Sequence, residues 1–398
     1  MARDHALEPI PQDGEPHVDL YNGRLERLTQ QSRNTWFTAP WLYAECYLYR
    51  FLRSLFAQSQ HWRDYDPFFS QKVDVFQKSG PSIYRIASSM HDLEIAKANV
   101  ESDEGRIGAL FQEMIQMCLW GNATDLSLLT HMTLSDIQNL QTVEKEAQSA
   151  RKQFIMKDDQ GQVWKHLKQV KGGRVDFVLD NAGFEVFTDL VFADFLVTYT
   201  PHVSKVVFHG KLIPWFVSDV TPLDFKYTIA SLLDETYFSS APALQEQKDH
   251  LNEMATRISK YVEEGVLMFS VPIETPLGGG DGDVSKLGEF WTSPLPFWNM
   301  EQDCAELWND LRKSDLVIFK GDLNYRKLTG DIKWPSTTSF ESALGPLAGS
   351  FPLLSLRTNK ADVAVGIDQE ILDEVEQKDK KWRVNGKYAL ISFLPKAK

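Results

Sequence analysis

Cysteine is scarce in this chain: only Cys46, Cys118 and Cys304 occur in 398 residues, far apart from one another. Three are too few for a disulfide framework, and their spacing holds no CxxC pair for zinc. Cys46 and Cys118 stand in aromatic, apolar text and are expected to be buried thiols. Positive charge is short as well. There are 42 Lys and Arg against 55 Asp and Glu, a formal net charge of −13, and the basic residues form no run. Proteins that coat nucleic acid rely on a surplus of Lys and Arg, so no nucleic-acid partner is expected. No apolar stretch approaches the ~20 residues of a membrane span, and the opening MARDHALEPIPQDGEP has no apolar signal core. We therefore expect no membrane partner and a cytoplasmic protein, with the nucleus also open. Three catalytic signatures are missing too. LGGGDGD at 277–283 is glycine-rich but lacks the GK[ST] of a phosphate-cradling loop, no HExxH occurs, and GxSxG is absent. His202 and His209 are read as structural.

What is present is ordinary globular text. Hydrophobic residues make up 43% and charged residues 24%, near the averages for folded domains. At 398 residues the length exceeds what one core commonly holds, so two domains are expected, 1–168 and 169–398. The first reads as all-helical. Thr38 followed by Pro40 offers a cap and then a first-turn proline, and WLYAECYLYRFLRSLFA continues at mostly helical spacing. The HDLEIAKANVESDEGRIGALFQEMIQMCLWGN and SDIQNLQTVEKEAQSARKQF stretches extend that pattern. After Gly172 and Gly173 the text changes. VDFVL is a short continuous apolar run, as in a strand buried on both faces, and a helix from about Phe184 to Leu196 follows. SKVVFHGKLI, VLMFSVPI, DLVIFKGDL and KYALISFL repeat the strand signature, with helical segments such as ALQEQKDHLNEMATRISKYVEEG between them. Strands alternating with helices predict an α/β unit with a mainly parallel sheet, and ligands bind such sheets beyond the carboxyl ends of the strands.

Those ends are where the polar residues gather. VLDNAG places Asp180 and Asn181 after the first strand, FVSD places Asp219 after the second, and DLVIFKGDLNYRK delivers Lys320, Asp322, Asn324 and Arg326. Two carboxylates and a carboxamide are hard oxygen donors suited to Mg²⁺ or Mn²⁺, and Lys or Arg beside a metal is what phosphate recognition requires. Plainer roles exist: Asp180 could be a helix cap, and the Lys320–Arg326 stretch could be a solvated turn. The coincidence of three clusters on one sheet edge favours the functional reading. LRTNK, after an apolar stretch, ends in Lys360, which could add another phosphate-binding cation. WGNATDLSLL adds Asn122 and Asp125, with a helix stop and restart as their plainer role.

Together DNAGFE, the SD of WFVSD, KGDLNYRKLTGD and RTNK closely resemble the damage-control phosphatase family, once catalogued as a domain of unknown function. The match is to its third subfamily, whose RTxK signature stands here as Arg357, Thr358, Asn359 and Lys360; PWLYAECYLYR and WGNATDLSLL agree as well. The resemblance runs from about Trp36 to Leu394. It implies a helical N-terminal domain packed on a three-layer α/β/α domain, with a divalent metal (Mn²⁺, Co²⁺, Ni²⁺ or Mg²⁺) at their junction. Asp180, Asn181 and Asp219 match its metal ligands, and Asp322, Leu323, Asn324, Tyr325 and Arg326 match its substrate-binding stretch. It further implies release of phosphate from small metabolites such as fructose 1-phosphate and fructose 6-phosphate. Animal relatives have also been described as S-adenosylmethionine-dependent protein-glutamate O-methyltransferases, for which Glu185 and Asp219 match the methyl-donor contacts. The first strand's turn carries one glycine where a nucleoside-binding turn is glycine-rich, and methyl transfer has no intrinsic need of a metal, so phosphoryl transfer is favoured. A metal-stabilised binding protein without turnover is a third reading. Ala182 occupies the place of the second aspartate of a DxDx[TV] phosphatase, which favours water activated at the metal over an Asp180 phosphoenzyme.

Overall fold

Most of the sheet is assembled from the apolar runs that begin at Gly173. The computed structural model describes residues 3–101, 103–121, 153–280 and 286–397. Among these, seven strands form one sheet in the order β1-β7-β6-β5-β2-β3-β4. They are β1 (Ile155–Asp158), β2 (Gly173–Val178), β3 (Val203–His209), β4 (Leu267–Phe269), β5 (Leu316–Lys320), β6 (Leu353–Thr358) and β7 (Ala389–Leu394). Strands β6, β5, β2, β3 and β4 run parallel, while β7 pairs antiparallel with β6 and parallel with β1. The fold is thus α/β with a mainly parallel sheet and a helical N-terminal region.

The continuous apolar runs have a geometric cause. Successive strand residues point to opposite faces, and here each face meets its own core. Val175, Phe177, Leu316, Ile318, Leu354 and Ile391 join one hydrophobic cluster, whereas Val178, Val317, Phe319, Leu353 and Leu390 join another. Both faces are covered by helices, which gives three layers. Numbering helices of eight residues or more in chain order, the first cluster contains residues of α3 (Phe69–Lys78), α4 (Gly80–Ile95), α5 (Glu104–Trp120), α6 (Gln160–Leu167), α7 (Phe184–Tyr199), α8 (Pro222–Leu233) and α9 (Gln245–Glu263). The second contains α10 (Gly321–Leu328) and α11 (Gln369–Lys378) with the segments around them. Helices α1 (Val18–Gln30) and α2 (Trp41–Ala57) form a third cluster with Ile213, Trp215 and Leu323, residues that follow β3 and β5. That contact brings the N-terminal helices over the carboxyl edge of the sheet.

Several expectations change. The first 165 residues are not purely helical, because β1 lies within them. It is a four-residue edge strand whose alternation is too short to register in the sequence. Strand β6 also goes unrecognised in LLSLRT, since a serine and an arginine interrupt its apolar run. Thr38 does not cap α2: its hydroxyl pairs with Thr35, and Pro40 holds the N-cap position. Helix α7 extends three residues beyond the expected Leu196, to Tyr199. The 135–152 stretch read as helix lies outside the described residues. His202 and His209 have structural partners, the Val170 carbonyl and Asp176, and Cys46 and Cys118 are buried. No helix among the described residues is long and apolar enough to cross a membrane.

One histidine fastens the N-terminal helices to the body. His17 precedes α1 with φ 70° and its ring Nε2 meets the Glu289 carbonyl at 2.7 Å. Burial pushes its pKa down to about 4, against a usual 6.5. A depressed histidine makes the unfolded state bind the extra proton, so this contribution to stability is lost as pH falls from about 6.5 toward 4. His17→Asn, which tolerates positive φ, is expected to lessen the fall in stability over that window. Urea denaturation at pH 7 and pH 5 measures it; equal slopes in both proteins would refute the assignment.

Candidate functional site

The strand order reverses between β5 and β2, because the chain proceeds from β2 outward to β4 and then returns to the other side. In an open α/β sheet that reversal leaves a crevice at the carboxyl ends. A cavity of 970 Å³ lies there, and its wall includes Asp180, Asn181, Asp219, Asp322, Leu323, Arg326 and Lys360. Seven of the residues expected from the sequence are therefore gathered on one surface, contributed by the segments after β2, β3, β5 and β6.

Asp180 and Asn181 follow β2 directly, and the bland reading of Asp180 as a cap fails: Gly183, with φ 73°, holds the N-cap of α7. A backbone bridge joins Asn181 to Asp219, with Ala182 N–H donating to Ser218 O at 2.7 Å and Val220 N–H to Asp180 O at 2.9 Å. The segment carrying Asp219 is strained. Phe216 and Val217 adopt φ of 44° and 69°, a region that costs a β-branched residue of order 1–3 kcal/mol and gathers at functional sites. Lys72 secures it, donating to the Asp219 carbonyl at 3.1 Å while held by Asp66 and Asp224.

Asp180 and Asp219 are 6% and 2% exposed. Burial raises the Asp180 pKa well above the ordinary range, and Glu185 and Asp219 add to the rise. Burial likewise pushes Asp219 up to about 7, against the pull of Lys211 and Lys72. Asp219 Oδ2 has no hydrogen-bond partner, and the nearest cation, Lys211 Nζ, is 3.6 Å away. Two adjacent buried carboxylates, one with an orphaned oxygen, are costly unless a cation joins them. Asp180, Asn181 and Asp219 fit a small divalent ion by donor chemistry. Among the described residues no three His, Cys, Asp or Glu side chains are grouped to hold a metal, so the carboxamide would have to serve as the third donor.

Around this centre the side chains hold one another. Asn181 donates to Asp180 Oδ2 at 2.7 Å and to Glu185 Oε2 at 2.8 Å, and its carbonyl oxygen accepts from Ser218. Glu185 Oε1 accepts from Lys320, which also donates to Asp189 at 2.6 Å. Asp322 binds the Arg357 side chain at 2.8 Å and the Lys360 N–H at 3.1 Å. Arg326 grips Asp331 with two nitrogens at 3.0 Å and Glu45 with the third at 2.6 Å.

Not every expected substrate contact reaches the wall. Lys320 is 1% exposed beneath it, in the Glu185–Asp189 pair. Asn324 donates inward to the Lys320 and Leu179 carbonyls, and the Tyr325 hydroxyl accepts from Val365 N–H. Glu185 is likewise buried behind Asn181. A one-turn helix periodicity explains this: Asp322, Leu323 and Arg326 share the cavity side of α10, and Asn324 and Tyr325 face the sheet. The solvated-turn reading of this segment fails, since α10 is buried along nearly its whole length. Asn122 and Asp125 lie outside the described residues. Sequence reasoning missed Lys72, Lys211 and Ser218. Lys211 was legible in principle, since HGK ends β3 on the same edge as Asp180.

Gly321 shows how tightly the edge is packed. It has φ +80°, and a Cβ there would lie 1.9 Å from Asp180 Oδ2 and 2.2 Å from its Cγ. Gly321→Ala is expected to displace the Asp180 carboxylate and to lower activity on the order of 10²-fold, the penalty of a misplacement near 1 Å. A variant within threefold of wild type in phosphate release would show that Asp180 is not held there for chemistry.

Known proteins resemble this chain over most of its length. The family model described as "Damage-control phosphatase ARMT1-like domain" matches residues 3–375. "Damage-control phosphatase ARMT1" of Danio rerio is 36% identical over 398 residues, covering 96% of this chain and 80% of the relative. The Xenopus tropicalis protein of that name is 34% identical, covering 96% and 81%. The crystal structure of a DUF89 family protein from Pyrococcus horikoshii aligns with 96% of this chain and 90% of its own, at TM-score 0.41 and 13% identity. Matched by that model across most of its length, the chain belongs to the damage-control phosphatase ARMT1-like family.

Proposed function

We propose that this chain is a divalent-metal-dependent phosphoric monoester hydrolase acting on small phosphorylated metabolites such as fructose 1-phosphate and fructose 6-phosphate, of the subfamily marked by RTxK. The observation that carries the reading is the pair of buried carboxylates, Asp180 and Asp219, bridged through Asn181 on a cavity wall that also holds Lys360. The relatives' name, damage-control phosphatase, supports the reaction class. Residues 1–168 would form the helical domain and 169–398 the catalytic one.

Asp180, Asn181 and Asp219 would hold Mn²⁺, Co²⁺, Ni²⁺ or Mg²⁺, hard-oxygen chemistry being permissive among them. Such a cation would neutralise phosphate charge and make phosphorus more electrophilic. Lys72 and Lys211 hold Asp219 in place from behind. Lys320, through Glu185, fixes the Asn181 amide. Lys360 is assigned the phosphoryl oxygens, where a preorganised cation stabilises the charge that develops in the transition state. Asp322 orients it by accepting from its backbone N–H and by holding Arg357. Arg326, Glu45 and Asp331 form a rigid part of the wall. Water is the proposed nucleophile; trapping a phosphoaspartate would overturn that choice.

The test is phosphate release from a panel of sugar phosphates, with Mn²⁺ and after chelation. Metal-dependent release supports the proposal. Absence of release with every metal would overturn it and turn attention to methyl transfer, measured with labelled S-adenosylmethionine. Both oxygens of Glu185 already accept hydrogen bonds, which favours a supporting role for it over contact with a methyl donor.

A further inference from the structure

The cavity is larger than one sugar monophosphate needs. Its 970 Å³ stands at the top of the ~300–1,000 Å³ range typical of small-molecule sites. Its charges also divide into two groups. Asp180, Asp219, Asp322 and Lys360 come from the sheet edge. Arg24 on α1, Arg33 in the turn after it, and Lys333 beyond α10 come from the opposite elements and line the same space.

These three cations differ from the others in the wall. Arg326 is spent on Glu45 and Asp331, and Arg357 behind the wall on Asp322. Among the described residues, by contrast, Arg24, Arg33 and Lys333 make no ion pair. The Arg24 guanidinium lies over the Tyr43 ring at 5.7 Å, and the Arg33 Nε donates to the Thr38 carbonyl at 3.3 Å. Arg24 is half-buried. A half-buried guanidinium with no carboxylate beside it, on the wall of a large cavity, retains donors for an incoming anion. Among the described residues Asp362, on the same wall, makes no ion pair.

We infer that Arg24, Arg33 and Lys333 form a second anion site, and that this enzyme selects phosphate esters bearing another anionic group, phosphate or carboxylate, at the end away from the scissile ester. The inference rests on the phosphatase reading for what happens at the sheet edge, but binding alone can test it.

The experiment uses the full chain with Mn²⁺ and three probes, fructose 6-phosphate, fructose 1,6-bisphosphate and 6-phosphogluconate, titrated by calorimetry and then assayed for phosphate release. Wild type is expected to bind one or both dianionic-end probes about tenfold or more tightly than fructose 6-phosphate, and Arg24→Gln to erase that preference, the worth of one charge-assisted contact. Arg24→Lys is expected to restore part of it. Arg33→Gln gives an independent reading should Arg24→Gln fold poorly. A preference confined to the bisphosphate identifies phosphate as the second group, and one confined to 6-phosphogluconate identifies carboxylate. Equal affinity of wild type for all three probes, or equal loss on all three in both glutamine variants, overturns the site. Binding preference without any phosphate release would sustain this inference while removing the phosphatase reading.

Discussion

Asp219→Ala is expected to abolish metal-dependent phosphate release, with a loss on the order of 10³-fold or more, because on the proposed reading it would remove a charged donor from the metal centre. Assays at saturating Mn²⁺ compare it with wild type. Stability gives a second, independent reading through Asp219→Asn, which keeps the volume. In the wild type Asp219 is buried beside Asp180, and its Oδ2 lacks a hydrogen bond. Replacing Asp219 by Asn also removes one of the two carboxylates whose charge raises the Asp180 pKa. The Asn variant should therefore melt no lower than wild type in chelator, whereas Mn²⁺ should raise the wild-type melting temperature and leave the variant's in place. A variant several degrees less stable without metal would mean that Asp219 serves the fold as an ion-pair partner of Lys211.

Lys320→Met should carry the largest cost in stability, about 3–5 kcal/mol by urea denaturation, since it leaves two buried carboxylates without their cation. Lys320 lies 3.0 Å from Glu185 and 2.6 Å from Asp189, and all three are almost fully buried. The penalty should also depend on pH. Burial pushes Asp189 up to about 7 even with Lys320 present, and without the ammonium it must rise further. A carboxyl whose folded pKa is raised binds its proton more tightly in the folded state, so stability falls as pH rises through that window. The variant should lose more at pH 8 than at pH 6. Adding Asp189→Leu should recover part of the loss. A cost below about 1 kcal/mol at both pH values would show that these groups do not face one another as ions in a dry interior.

The place of the candidate site was largely legible, because its residues follow strands directly. Asp180 after VDFVL and Asp322 after DLVIF are placed by periodicity alone, and parallel strands bring their carboxyl ends to one edge whatever lies between them. The direction of each side chain was not legible. Nothing in KGDLNYRK says that Lys320 and Asn324 turn beneath the wall while Asp322 and Arg326 stay on it; that depends on where α10 starts, and Gly321 at φ +80° sets the start. Short elements were missed for a related reason. Four residues of β1 and the interrupted run of β6 take their strand character from β7, which pairs with both.

By itself the sequence determined the alternation of strands and helices, the sheet buried on both faces, and which polar side chains stand at its edge, since these follow from local periodicity and from side-chain chemistry. The tertiary structure decided which cations are spent and which remain. Lys320, Arg326 and Arg357 are taken up by carboxylates distant in sequence, and Arg24 and Arg33 reach the cavity only because α1 and α2 pack on Ile213, Trp215 and Leu323. Ion pairing depends on distances of a few ångströms in a low-dielectric interior, and such distances between remote segments are set by packing.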